Sequence, residues 1–132
     1  MTAVFLETSA LLRMLFGEEG GDSIAERLRN AERAVASRLI RVEAERVLIR
    51  LSLEQPRSQK QVAELERELK HFWPRIDFIE ITRDICDLAG RIAPRSSLRS
   101  LDAIHLASYF RIKELDPSIE ILTCDEGIMR EV

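Results

Sequence analysis

Residues 3–12 read Ala3-Val4-Phe5-Leu6-Glu7-Thr8-Ser9-Ala10-Leu11-Leu12. The apolar run Ala3 to Leu6, with its β-branched and aromatic members, forms a short buried strand over residues 3–7. Thr8-Ser9 then caps a helix expected to run to about Phe16. A strand, an acid at its end and a helix therefore follow within ten residues. Gly17 and the Gly20-Gly21 pair mark a turn, and residues 22–31 suit a second helix.

Strands and helices go on alternating along the chain, with no internal repeat. Ala34-Val35-Ala36 is a weak strand ending at Ser37, a good N-cap for a helix over 38–53. Pro56 starts a further helix, charged on its outer face, that runs to about Trp73 and is ended by Pro74. Ile76 to Ile81 reads as a strand, and Thr82 caps a helix to about Ile92. A basic, serine-rich stretch follows, Arg95-Ser96-Ser97-Leu98-Arg99-Ser100. Residues 102–115 form a helix that Asp116-Pro117 breaks; Ile119 to Thr123 is a strand, and Asp125 begins a final helical stub. The order β α α β α α β α α β α specifies an α/β domain over residues 1–132, with a mostly parallel sheet and helices on both faces. In such sheets the working site lies at the carboxyl ends of the strands, where Glu7 and Asp125 sit.

Bulk properties narrow the classes. At 132 residues, 45% apolar and 33% charged, the chain has the balance of a soluble globular domain. It has no apolar run long enough to span a membrane, and its opening lacks the basic segment of a signal peptide. Cys86 and Cys124 are far apart and in no metal or redox spacing, so each is expected to be a buried reduced thiol in a cytoplasmic protein. A net charge of −3 is not the footprint of a dedicated nucleic-acid binder. It is compatible with a nuclease that meets phosphate through a bound metal and a few local arginines.

Four acids carry the chemistry: Glu7, Glu43, Asp102 and Asp125. On a helical wheel with Leu39 at zero, Val47, Ile40, Leu51, Ala44 and Leu48 fill an apolar arc to about 180°, and Glu43 falls inside it at about 40°. A charge on a core-facing stripe needs a partner, and Arg50, near the edge of the arc, is one candidate. Asp102 and Asp125 stand where aspartate caps helices, and Glu7 could be a solvated strand end. Together the four would make an acidic pocket suited to a hard divalent cation. His105 shares a helix face with Asp102, either as a partner of the acids or as an ordinary packed or solvated histidine. His71 reads as a surface residue. No GxGxxG, Walker A, GxSxG or HExxH motif is present, which removes the usual markers of nucleotide folds and hydrolases.

The sequences around the four acids are similar to those of the PIN domain, specifically the VapC-type toxin ribonucleases. Val4 to Leu12 resembles the family's opening strand, whose acid is followed by Thr/Ser-Ser and small apolar residues. Ser37 to Glu43 resembles the helix that presents the second acid. Leu101-Asp102-Ala103-Ile104-His105-Leu106-Ala107 matches the family's "DAIHLA" run, and Leu122-Thr123-Cys124-Asp125 its last strand and fourth acid. The resemblance covers essentially the whole chain. It implies a three-layer α/β/α sandwich and an endoribonuclease dependent on Mg²⁺ or Mn²⁺. It also implies the toxin's place in a type II toxin–antitoxin pair, a VapB-like antitoxin that blocks the site, and a homodimer.

On this reading Glu7, Asp102 and Asp125 ligate metal directly or through water. Glu43 holds metal-associated water or a second ion, and Ser9 and Thr123 are placed to orient the acids. Two departures stand out. Glu7 occupies the position where the family has aspartate, and the chain ends at Val132, where the family often continues into a further short strand. The competing readings are a PIN-like domain that Glu7 has disabled, binding antitoxin or RNA without cleaving, and a receiver-type phosphoacceptor domain. The latter expects paired acids after the first strand and a lysine after the last, neither of which is present.

Overall fold

The computed structural model describes residues 2–55 and 59–132. Four strands, β1 (Ala3–Leu6), β2 (Arg33–Ser37), β3 (Ile76–Ile79) and β4 (Glu120–Leu122), alternate with seven helices. These are α1 (Thr8–Leu15), α2 (Gly21–Asn30), α3 (Leu39–Glu54), α4 (Gln59–Phe72), α5 (Arg83–Ala89), α6 (Ser100–Leu115) and α7 (Glu126–Met129). A 3-10 turn, Trp73–Arg75, contains Pro74 and leads into β3. The order matches the sequence reading; the expected helix start at Pro56 lies outside the described residues. The strands run shorter than their apolar segments: β3 stops at Ile79, where the Ile79 carbonyl accepts the Arg38 amide at 2.9 Å.

All pairings are parallel, in the order β3-β2-β1-β4. The chain builds outward from β1 to β2 to β3, then returns to place β4 on the other side of β1. The switch in winding direction therefore falls between β1 and β4. Their register, Leu6 opposite Leu122, puts the residues just beyond both strands side by side.

Period-two alternation divides the strand residues between two cores. Val4, Leu6, Ala36, Ile76 and Leu122 face a cluster with Leu11 of α1, Leu28 of α2, Ile40 and Leu48 of α3, and Val62, Leu65 and Leu69 of α4. Phe5 and Val35 face the opposite cluster, with Leu106 and Tyr109 of α6 and Ile128 of α7. The result is the three-layer α/β/α arrangement, with both faces of the sheet covered as a parallel sheet requires. Close packing of α1 on α2 depends on Gly21, where a Cβ would lie 2.8 Å from the Arg13 carbonyl oxygen. One expectation fails here: Cys86 is exposed, because the short α5 buries only Ile85. Cys124 is half-buried, and both thiols are free.

Candidate active site at the carboxyl edge of the sheet

Glu7 follows β1 directly, and its amide donates to the Leu122 carbonyl at 3.0 Å, extending the β1–β4 ladder by one bond. Its backbone is extended, and its side chain, not that of Thr8 or Ser9, caps α1. Oε2 accepts the Ser9 amide at 3.1 Å. Oε1 accepts the Ser9 hydroxyl and, at 2.6 Å, the Thr123 hydroxyl. Ser9 and Thr123 thus orient Glu7 as their positions suggested. Each hydroxyl also accepts a backbone amide: Ser9 Oγ from Cys124 at 2.8 Å, Thr123 Oγ1 from Asp125 at 3.1 Å. The two side chains tie the β1–α1 junction to the β4–α7 turn. Glu7 is buried, and three of the roughly four acceptor positions of its carboxylate are filled by the protein.

Asp125 caps α7, with Oδ1 accepting the Ile128 amide at 2.9 Å. Asp102 is not a cap. It is the third residue of α6, in the first turn of a helix whose N-cap, Arg99, makes no side-chain capping bond. Burial holds the Asp102 carboxyl above the usual aspartate range, and the charges of Asp125 and then Glu7 push it the same way. Arg99 and His105 oppose that rise. Asp102 on α6 therefore feels, beyond its burial, the charges of Asp125 in the β4–α7 turn and of Glu7 just after β1.

Glu43 sits on the second turn of α3, half-buried, on the stripe that buries Leu39, Ile40, Ala44 and Leu48. Its partner is not Arg50, which is exposed and forms no ion pair among the described residues. Instead Oε1 accepts from the Thr8 hydroxyl at 2.6 Å and lies 2.5 Å from His105 Nε2. Burial alone would raise the Glu43 carboxyl, yet the bonds from His105 and Thr8 outweigh it and bring the carboxyl below its ordinary range. Glu43 and Asp102 line one open cleft, rimmed by Leu98, Arg99, Ser100 and Leu101. Of the two readings open for His105, the partner of an acid is the one found, and the acid is Glu43 rather than Asp102 on its own helix: the ring is fully buried beside Glu43 and Thr8. His71 is exposed, as expected.

Oxygen donors of this kind suit a hard dication in chemistry. In the geometry present, no three carboxylate, imidazole or thiolate groups among the described residues stand together closely enough to hold one ion. Asp102 and Asp125 keep oxygens that no donor among the described residues occupies, whereas Glu7 is drawn back onto Ser9 and Thr123.

A doubly wound parallel sheet with acids just beyond the two strands at its switch point defines a class of α/β proteins that present carboxylates at one strand edge. The match of residues 4–132 to the PIN domain goes further: the chain belongs to the PIN domain family. It is 33% identical over 112 residues to Ribonuclease VapC46 of Mycobacterium tuberculosis, covering 85% of this chain and 78% of that protein. It is 27% identical over 128 residues to Ribonuclease VapC49 of the same organism, covering 97% of this chain and 88% of that one. Among solved structures, a chain of a toxin–antitoxin complex from Klebsiella pneumoniae has a TM-score of 0.64 at 17% identity, over 92% of this chain and 86% of that chain. At that identity the likeness is one of fold. No described helix is long and apolar enough to cross a membrane.

Proposed function

We propose that this protein is a metal-dependent endoribonuclease, the toxin of a type II toxin–antitoxin pair. The observation that carries the reading is the electrostatic crowding of Asp102 by Asp125 and Glu7 beside a cleft that Glu43 also lines. Family membership and relatives that are ribonucleases of the VapC type support it.

Glu7, Asp102 and Asp125 are the residues that would hold Mg²⁺ or Mn²⁺. When bound, the ion would supply charge neutralisation at the phosphodiester and a lower pKa for the attacking water. The chain's own residues do the rest. Glu43, kept ionised by its two donors, accepts a hydrogen bond and then a proton from the nucleophile. Ser9 and Thr123 fix Glu7 and the β4–α7 turn, so the acids meet the substrate already oriented. Arg99, exposed at the rim, is placed to meet a backbone phosphate.

A basic antitoxin segment presenting an arginine would neutralise the same acids and exclude RNA; a VapB-like partner and a homodimer complete the proposal. The test is cleavage of a structured RNA by purified protein with Mg²⁺, Mn²⁺ or EDTA. Cation-dependent cleavage lost in Asp102→Asn is expected. Equal, EDTA-resistant cleavage by both proteins would reject the site. A wild-type chain that cleaves nothing but binds its neighbouring partner would favour the reading in which Glu7 has disabled a PIN domain.

A further inference from the structure

We propose that His105 is a positioning residue: with Thr8 it grips the Glu43 carboxylate by Oε1, so that Oε2 alone faces the cleft. The proposal deepens the nuclease reading and rests on it for the consequence in cleavage, but not for the grip itself.

Three elements meet in this contact. Thr8 opens α1, Glu43 lies on α3 and His105 on α6, separated by 35 and 62 residues. Nε2 of His105 is 2.5 Å from Glu43 Oε1 and 3.2 Å from Thr8 Oγ1, while Thr8 donates to the same Oε1 at 2.6 Å. Since Oε1 is an acceptor, Nε2 carries the proton. The imidazole is completely buried, and its other nitrogen, Nδ1, has no partner among the described residues. A buried polar ring satisfied on one side only is costly in a place where phenylalanine or leucine would pack, unless the bond it does make serves a purpose. Among the described residues Glu43 Oε2 accepts no hydrogen bond and, unlike His105 Nδ1, is not a buried orphan. It is the oxygen left to act.

Glutamate has three rotatable side-chain bonds, and an unrestrained carboxylate would sample orientations in which neither oxygen meets the nucleophile. Two donors on one oxygen fix both the rotamer and the ionised form before substrate arrives. His105→Gln keeps this device, because a glutamine amide nitrogen reaches about as far as imidazole Nε2. His105→Asn falls short, and His105→Phe fills the space without a donor.

The experiment uses the full chain. In ¹⁵N-histidine-labelled protein without cation or RNA, the Nε2 proton of His105 is expected far downfield, moving upfield in Glu43→Gln and Thr8→Val. In cleavage assays His105→Phe and His105→Asn are expected to lose roughly 10–100-fold in kcat, with KM for RNA within about twofold. His105→Gln restores most of the loss, which a merely space-filling role would not do. Thr8→Val, which removes one hydroxyl, gives the same pattern if a ring substitution fails to fold. Wild-type kcat in folded His105→Phe, or a histidine proton indifferent to Glu43→Gln, overturns the proposal. Should the wild-type chain cleave no RNA with any cation, the nuclease reading fails, and the resonance alone decides whether the grip exists.

Discussion

Shortening Glu7 to aspartate removes one methylene, about 1.5 Å of reach, and the structure shows what that disconnects. The Ser9 amide bond to the carboxylate survives, because aspartate is a favoured N-cap and the amide lies close to the backbone. The Thr123 bond, at 2.6 Å across to the neighbouring strand end, does not survive, since a shift of that size carries the acceptor out of range. A hydrogen bond to a charged acceptor is worth about 1.5–3 kcal/mol, and better capping returns a few tenths. A net loss of about 1–2.5 kcal/mol follows, or roughly 4–9 °C in Tm for a chain of this size. The assay is thermal or urea unfolding of wild type, Glu7→Asp, Thr123→Val and the double variant, without divalent cation. Both single changes break the same bond, so the double is expected to fall well short of their sum. Cleavage by Glu7→Asp is expected to rise although stability falls, because the oxygen now held by both Ser9 and Thr123 loses the Thr123 bond and has room to meet a cation. A Glu7→Asp protein as stable as wild type, or strictly additive losses, would refute the argument.

Asp102→Asn tests the crowding of the acids. Because the folded state holds the Asp102 proton more tightly than the unfolded chain, its stabilising contribution exists in acid and is lost as pH rises. The amide variant is therefore expected to be more stable at neutral pH by a fraction of a kcal/mol, the difference vanishing in acid; melting curves across pH check this. Mg²⁺ reverses the order, since a cation at 100 times its Kd adds about 2.7 kcal/mol to wild type and little to the variant. Glu43→Leu leaves the buried His105 with only the Thr8 hydroxyl at Nε2 and is expected to cost about 1–3 kcal/mol by urea unfolding. For Glu43 the sign is opposite to Asp102: its contribution is present at neutral pH and is lost as pH falls through its lowered range.

How far the sequence reaches is visible in particular residues. The alternation of short apolar runs with capped helices was enough for the layer order, because each strand must bury both faces and each helix one. The stripe on residues 38–53 was enough to turn Glu43 inward, since helical periodicity is a local property. Its partner was not legible. Reasoning within one helix offers Arg50, seven residues away, whereas the fold delivers His105 from α6, 62 residues on. The capping of α1 was misjudged for a related reason. Thr8 and Ser9 have the right composition, but Glu7 leaves β1 in an extended conformation and its longer side chain folds back onto the Ser9 amide. Thr8 is thereby released to serve Glu43. Asp102 looked like a cap because helix-starting aspartates usually are; α6 begins two residues earlier and leaves that carboxylate free for the cleft. Residue type alone implies a buried Cys86, and α5 turns it outward.

The most direct measurement of the central claim is a crystal of this chain soaked in Mn²⁺, with anomalous differences locating the ion. The account predicts a peak at the carboxyl edge of the sheet between β1 and β4, with oxygens of Asp102 and Asp125 at roughly 2.0–2.3 Å and Glu7 direct or one water away. Collected on Asp102→Asn, the same map should lose the peak. An Mn²⁺ ion bound elsewhere, or a wild-type cleft with no peak at millimolar Mn²⁺ while the acids stay apart, would contradict the claim that these carboxylates form a cation site.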